Sequence, residues 1–158
     1  MFNFFCYVII KMVIAMRFER TKKMNISVLK EQEKQLSSKE KIQEALLDEN
    51  VLGFNICLDD LVIGFVMVKQ FAPESYFLWD YAIGYNYQNK NYGTTALKEF
   101  IKFMEANYNM KVLTTTYIWG NSHAKHIYEK IGFIETDIVN QQDCHEVNMI
   151  YNCTIKKR

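Results

Sequence analysis

The chain has 158 residues, of which 49% are hydrophobic, 15% aromatic and 23% charged. This composition predicts a globular protein with a substantial apolar core and excludes a disordered or low-complexity chain. The 19 Lys and Arg residues nearly balance the 18 Asp and Glu residues, giving a net charge of +1. A protein that binds nucleic acid by neutralising phosphates carries a larger basic excess. We therefore expect no nucleic-acid partner.

The cysteine pattern argues against a metal or disulfide framework. No two cysteines form a CxxC pair, so neither a zinc ribbon nor a thioredoxin-like site is expected. A core of this size does not need disulfides, which favours reduced thiols, no bound metal and a cytoplasmic location. A catalytic cysteine paired with a histidine remains an alternative without a local signature. The residues concerned are Cys6, Cys57, Cys144, Cys153, His123, His126 and His145.

Residues 1–16 are strongly apolar, but Lys11 interrupts them. A helix that spans a bilayer needs about 20 apolar residues, and a signal peptide needs a basic start and a small-residue cleavage site. We expect an apolar extension over residues 1–12 and a single domain over 13–158, with a first strand near 13–19 and no membrane partner. A membrane anchor is the alternative.

The first half of the chain predicts two helices and then three strands. Apolar residues at Met24, Val28 and Leu29 indicate an amphipathic helix, and Ser37 with Glu40 forms a capping-box pattern that opens a second one. Alternating and apolar runs then predict a hairpin that turns at 59–60, followed by a third, aromatic strand. These strands cover residues 53–58, 61–71 and 76–83.

The second half alternates helices and strands. Residues 94–106 place apolar and charged side chains on opposite helix faces, and Gly132 is well placed to end a later helix. The remaining elements are a strand at 111–118, a helix at 121–131 and strands at 133–139 and 145–152. The order β-α-α-β-β-β-α-β-α-β-β predicts an α/β protein with a mixed sheet.

The segment 87–94 lies between a predicted strand and the helix at 94–106. Such a junction presents unpaired backbone N–H groups at the positive end of the helix dipole, where phosphate binds. The segment contains Lys90 and no acidic residue. It predicts a pyrophosphate site, with an ordinary strand–helix loop as the alternative.

A second motif lies further along the chain: Asn121, Ala124, Tyr128-Glu129-Lys130 and Gly132-Phe133. With it the chain resembles the GNAT-type N-acetyltransferase superfamily over roughly residues 13–152. In that family a Gln/Arg-x-x-Gly-x-Gly/Ala loop holds the pyrophosphate of acetyl-CoA, and Gln88 and Gly93 match the ends of this loop. The resemblance implies the acyl-CoA N-acyltransferase fold: a mixed, mostly antiparallel central sheet flanked by helices.

Two positions depart from the family pattern, because Asn89 and Asn91 stand where glycine is usual. Asparagine enters the left-handed backbone region more readily than most residues, so the loop can still form. The departure keeps one alternative open, a non-catalytic acyl-CoA-binding or regulatory domain of the same fold.

The resemblance also implies an activity, transfer of an acetyl group from acetyl-CoA to a primary amine. It places the general acid at Tyr128. The alternative is that Tyr128 only packs in the hydrophobic core. Asn121 is expected either to bind the pantetheine arm or to cap its helix. The cofactor-binding residues implied are Ala82, Ile83, Gln88, Asn89, Lys90, Asn91, Tyr92, Gly93, Thr94 and Asn121.

The sequence indicates the general base and the acceptor amine less clearly than the general acid and the cofactor-binding residues. Asp80 is the candidate base, because apolar surroundings in an aromatic strand raise the pKa of a carboxylate. Its alternative role is that of a structural carboxylate. Glu74 is a weaker candidate for the base. The chain is similar to bacterial diamine and polyamine acetyltransferases, and acidic residues in the expected acceptor regions suit a cationic amine. They are Glu31, Glu33, Asp137, Asp143 and Glu146. Peptide and antibiotic amines, a homodimer and an unrelated interaction protein remain open.

Overall fold

The computed structural model describes residues 15–153, so the predicted extension over 1–12 and the start of the first strand at Val13 lie outside the described residues. The helices are α1 (Lys30–Glu33), α2 (Lys39–Ala45), α3 (Tyr92–Tyr108) and α4 (Ser122–Ile131). The strands are β1 (Met16–Arg20), β2 (Val51–Leu58), β3 (Leu61–Ala72), β4 (Ser75–Ile83), β5 (Val112–Ile118), β6 (Ile134–Gln141) and β7 (Cys144–Asn152). The element order is the one that the sequence predicts.

The seven strands between residues 15 and 153 form one sheet in the order β1-β2-β3-β4-β5-β7-β6. Only β4 and β5 pair in parallel there, while the other neighbouring pairs are antiparallel. The expectation of a mixed, mostly antiparallel sheet is confirmed. In this part of the chain no helix combines the length and apolarity needed to cross a bilayer.

Apolar side chains cover the two faces of the sheet unequally. The larger cluster packs α3 against β2–β5 and includes the fully buried Phe54, Leu97 and Phe100. The smaller cluster packs α2 on the opposite face of β2 and β3, around Ile42 and Phe65. We refer to these as the α3 face and the α2 face of the sheet.

The strands β4 and β5 diverge soon after they begin. Their pairing is confined to Ser75–Val112, Tyr76–Leu113 and Phe77–Thr114. Beyond these pairs, no strand pairing joins residues 78–83 of β4 to residues 115–118 of β5, and we call the opening between these two stretches the cleft. A bulge adds to the distortion, because Val68 pairs with Leu78 and Met67 with Asp80, leaving Trp79 as an extra residue.

Two sequence predictions near the first helices are wrong in detail. A helix was expected around Met24–Leu29, but these residues are not helical. The first helix is the short α1, which begins after them at Lys30. Met24 and Ile26 instead pack against the α2-face cluster from this non-helical segment. The N-cap of α2 is Ser38, whose side chain accepts from the Lys41 N–H, and not Ser37. The Ser37 N–H has another partner, described below.

Candidate active site

The loop before α3 adopts the backbone geometry that glycine usually supplies. Asn89 has φ of 59° and Asn91 has φ of 63°, both in the left-handed region. Asparagine is one of the few non-glycine residues that enter this region readily. Both asparagines therefore adopt the left-handed backbone that the sequence argument considered open to them.

The start of α3 has no side-chain cap. Asn91 occupies the N-cap position but makes no capping hydrogen bond, and the first turn holds no acidic residue. The N–H groups of Tyr92, Gly93 and Thr94 have no helical acceptor at these positions, and the helix dipole adds partial positive charge. These amides form a potential anion site beside the exposed Lys90.

Packing within the protein does not explain the glycine at position 93. A Cβ atom there would meet Ile83 Cγ1 at 3.8 Å, an ordinary contact, and the residue has no positive φ. A side chain would instead extend into the space beside the start of α3. Gly93 thus leaves room for a group from outside the chain.

The start of α4 is different. The Asn121 side chain accepts a hydrogen bond from the Ala124 N–H at 3.1 Å, which caps the helix. Its Nδ2 donates to Gln35 Oε1 at 3.2 Å. Of the two roles expected for Asn121, the capping role is the one present in this structure.

Tyr128 projects from α4 into the interior beside the cleft. Its ring packs against Phe133 with a centroid separation of 5.3 Å. Burial raises the pKa of Tyr128, and a hydrogen bond with the Thr115 side chain offsets part of the rise. Thr115 Oγ1 in turn donates to the Leu78 carbonyl at 3.3 Å, linking β5 to β4 where they diverge. The Tyr128 phenol is therefore protonated at neutral pH and lies near the base of the cleft.

Asp80 lies across the sheet from Tyr128. The bulge at Trp79 turns Asp80 onto the α2 face, where Oδ1 accepts a hydrogen bond from the Ser37 N–H at 2.8 Å. The residue is only 3% exposed, and Oδ2 is buried without a partner. Burial raises the pKa of the Asp80 carboxyl, while the bond from Ser37 lowers it in part. A buried carboxylate with one unsatisfied oxygen can accept a proton.

The edge of β4 that borders the cleft offers backbone groups at Ile83. Because the Gly84 N–H donates to the Ile63 carbonyl, the antiparallel alternation directs the polar groups of Ala82 towards β3 and those of Ile83 towards the cleft. Of the two residues predicted to bind the pantetheine arm, Ile83 is the one whose backbone polar groups face the cleft. Its carbonyl already accepts from Gln88 Nε2 at 3.0 Å.

Three polar side chains at the site were missed by the sequence analysis. Tyr81 donates its hydroxyl to the Gly93 carbonyl at 2.5 Å and so ties β4 to the start of α3. Gln32 Oε1 accepts from Gln88 Nε2 at 2.6 Å, and Gln35 bonds Asn121 as described. Only the aromatic richness of β4 hinted at Tyr81, and nothing in the sequence marked the two glutamines.

Less in the structure supports the other chemistries considered, namely a catalytic cysteine, a metal site and Glu74 as the general base. Burial raises the pKa of the Cys57 thiol and raises that of Cys153 to about 12, the opposite of what a nucleophilic cysteine needs. Residues 15–153 contain no group of three or more His, Cys, Asp or Glu side chains that could hold a metal ion. Glu74 accepts a hydrogen bond from Asn109 in a surface turn at the start of β4, whereas Asp80 lies next to the cleft.

Comparisons with solved structures place the fold. A GNAT family acetyltransferase from Elizabethkingia anophelis with acetyl-CoA bound superposes with a TM-score of 0.66 at 16% identity, over 87% of this chain and 97% of that one. The IAA acetyltransferase of Bacillus cereus gives 0.66 at 15% identity, over 87% and 99%. The Vibrio cholerae spermidine N-acetyltransferase in complex with CoA and spermine gives 0.61 at 18% identity, over 73% of each chain.

Sequence comparison identifies the family. A search of curated proteins found no significant match. The model of the acetyltransferase (GNAT) family, however, matches residues 17–133, which include all but the first residue of β1, the cleft-bordering strands, the loop before α3 and all of α4. The chain therefore belongs to the acetyltransferase (GNAT) family.

Proposed function

We propose that this protein transfers an acetyl group from acetyl-CoA to a primary amine. The observation that carries the proposal is the uncapped start of α3, which lies next to the cleft between β4 and β5. Three free amides, no acidic neighbour and a glycine that packing does not require fit a pyrophosphate group. Asn89, Lys90 and Asn91 would border the same group, and Gln88 lies at the base of the loop.

The residues around the cleft could divide the remaining work. Acetyl-CoA supplies an activated thioester. Asp80 would accept the proton of the amine, which is mostly cationic at neutral pH. The Ile83 N–H, directed towards the cleft, would donate to the carbonyl oxygen as negative charge develops there. Tyr128 would donate its proton to the departing sulfur. The two proton-transfer groups approach the cleft from opposite faces of the sheet, so one can act on each side of the thioester.

We further propose a cationic, polyamine-like acceptor. A cavity of about 290 Å³ lies on the α2 face of the sheet and is lined by Phe77, Asp137 and Asn148, among others. Strand alternation places it on the same face as Asp80. Trp79, beside it on β4, already holds the ammonium group of Lys69 at 5.9 Å from its ring centroid. Aromatic rings and carboxylates together favour a cation.

Asn89 and Asn91 motivated the alternative of a non-catalytic acyl-CoA-binding or regulatory domain. Both residues hold the left-handed geometry that the loop needs. The proposed acid and base also both lie beside the cleft. These observations favour the catalytic function over the alternative.

A panel of amines tests the proposal. Release of free thiol from acetyl-CoA would be measured with putrescine, spermidine, spermine, an aminoglycoside and a peptide with a free N-terminus. We expect acetylation with the highest kcat/KM for a polyamine. Acetyl-CoA binding without thiol release for any amine would support the non-catalytic alternative, and a faster peptide reaction would replace the polyamine assignment alone.

A further inference from the structure

Tyr81 joins the strand that carries the proposed base to the helix start that is open to an anion. It follows Asp80 on β4, and its side chain packs against the apolar cluster on the α3 face. Its hydroxyl donates to the Gly93 carbonyl at 2.5 Å. Among the residues that the structure describes, this is the only side-chain hydrogen bond between β4 and α3. The phenol is therefore the specific polar link between the two elements.

The first turn of α3 has few restraints of its own. Asn91 makes no capping hydrogen bond with its side chain. The first backbone bond of the helix, from the Thr95 N–H to the Asn91 carbonyl, is long at 3.4 Å. Helix ends with weak terminal bonds fray. The bond from Tyr81 to Gly93 supplies a restraint that this turn otherwise lacks.

The surroundings of the Tyr81 hydroxyl make it a stable donor. Burial raises the pKa of Tyr81, the nearby Tyr128 phenol raises it further, and a hydrogen bond with the Leu97 backbone lowers it in part. The hydroxyl therefore stays protonated at neutral pH. The Gly93 carbonyl has two lone pairs, so it can accept from Tyr81 and from the Leu97 N–H of the next helical turn. The bond from Tyr81 thus adds to the bonds of the helix and does not replace one.

The same link connects the two ends of the proposed acyl-CoA site. Ile83 lies two residues after Tyr81 on β4, and its N–H is the group proposed to face the thioester oxygen. A Cβ atom at Gly93 would lie 3.8 Å from the Ile83 side chain, so the helix start rests directly on this end of the strand. Pyrophosphate and thioester belong to one molecule, so the amides that bind them must be held at a matching separation.

We propose that Tyr81 is a positioning residue, whose hydroxyl holds the first turn of α3 at the separation from Ile83 at which one acetyl-CoA molecule reaches both. The inference rests on the proposed function. In this role Tyr81 acts through Gly93 and not on the reacting atoms. Its hydroxyl therefore matters for donors that carry pyrophosphate and not for donors that lack it.

Two acyl donors test this role in Tyr81→Phe, which keeps the ring and removes the hydroxyl. The KM for acetyl-CoA should rise about tenfold, the loss expected when one charge-assisted hydrogen bond to phosphate is misaligned, while kcat is unchanged. The kcat/KM for S-acetylpantetheine, which has no phosphate, should equal that of the wild type. Tyr76→Phe, at the other end of β4 in the same apolar cluster, is the matched control and should change neither value. A lower kcat, equal losses with both donors, or no loss with either would overturn the inference.

Calorimetric binding separates this inference from the proposed function, because it needs no turnover. The Kd of CoA should rise about tenfold in Tyr81→Phe, and the Kd of pantetheine should not change. If the wild type binds CoA but acetylates no amine, the proposed activity fails, and these two Kd values still decide the role of Tyr81. If the wild type does not bind CoA, both fail. Thermal unfolding checks that Tyr81→Phe is folded; loss of the fold would also overturn the inference, because Tyr81 would then serve stability and not alignment.

Discussion

The two helices that border the cleft both begin at an asparagine, and the two asparagines act in opposite ways. Asn91 supplies a left-handed backbone and leaves the amides of α3 uncapped. Asn121 supplies a side-chain oxygen that caps α4. The same residue type therefore opens one helix terminus to an anion and closes the other.

This difference suggests a division of labour. The open start of α3 suits binding of a phosphate group, whereas the capped α4 serves as a rigid support for Tyr128. If this is correct, substitutions at α3 should change affinity and substitutions on α4 should change turnover or stability. The predictions below test that separation, from the largest expected effect to the smallest.

Tyr128→Phe should lower kcat by about 10²–10⁴-fold, because general acid catalysis typically contributes that much. The ring that packs on Phe133 remains, so the acetyl-CoA Kd should change little and the protein should stay folded. Steady-state kinetics at saturating amine and a binding titration check both parts. Tyr128→Ala is the comparison for loss of the ring. A Tyr128→Phe enzyme with normal kcat would assign Tyr128 to the core alone.

Asp80→Asn should lower kcat/KM by about 10²-fold through loss of the proton acceptor. Because burial raises the pKa of Asp80, wild-type activity should rise with pH as this carboxyl ionises, and the variant should lose that limb of the profile. Equal profiles for the two proteins would refute the role.

The same pKa shift has a consequence for stability. The folded state holds the Asp80 proton more tightly than the unfolded chain, so the free energy of unfolding should fall as pH rises from the unfolded pKa through the raised folded value. Denaturation of Asp80→Asn over the same pH range should lack this decline. The asparagine oxygen can still accept from Ser37, which makes it a conservative control.

Gly93→Val should raise the acetyl-CoA Kd by about 10- to 100-fold, the loss expected when one or more charge-assisted hydrogen bonds cannot form. The fold should survive, because the added Cβ has room beside Ile83. Calorimetric titration and thermal unfolding measure the two effects separately. Wild-type affinity in a folded Gly93→Val protein would remove the start of α3 from the binding site.

The smallest effects concern the two asparagines themselves. Asn121→Ala should lower the free energy of unfolding by about 1 kcal/mol through loss of the cap, and Asn121→Asp should retain the stability. Asn91→Gly should cost no stability, because glycine adopts the same left-handed backbone. Chemical denaturation checks all three. Destabilisation by Asn91→Gly together with tolerance of Asn121→Ala would invert the comparison.

The order of elements was predictable because most strands and helices carry clear periodicity or strong turn residues. The loop before α3 was predictable for a local reason, since Asn89 and Asn91 determine their own backbone geometry. The face of the sheet on which Asp80 lies was not predictable from the sequence. Aromatic residues occur on both sides of β4, which hides the alternation, and the bulge at Trp79 reverses the side on which Asp80 lies.

The segment between β1 and α2, which contains α1, was also beyond sequence analysis. Its weak apolar pattern predicted a helix over residues that pack in a non-helical segment, and α1 is only four residues long. Its contacts join Gln32 to Gln88 and Gln35 to Asn121, separations of 56 and 86 residues. Long-range contacts between uncharged amides leave no periodic signal in a single sequence.

The most direct test of the account is to follow backbone amide resonances by NMR while acetyl-CoA is added. Binding at the open helix start predicts that the largest shifts occur at Gly93, Thr94 and the preceding loop, whereas the amides of the first turn of α4 shift less. Shifts of equal or greater size at the start of α4, or none at the start of α3, would contradict it.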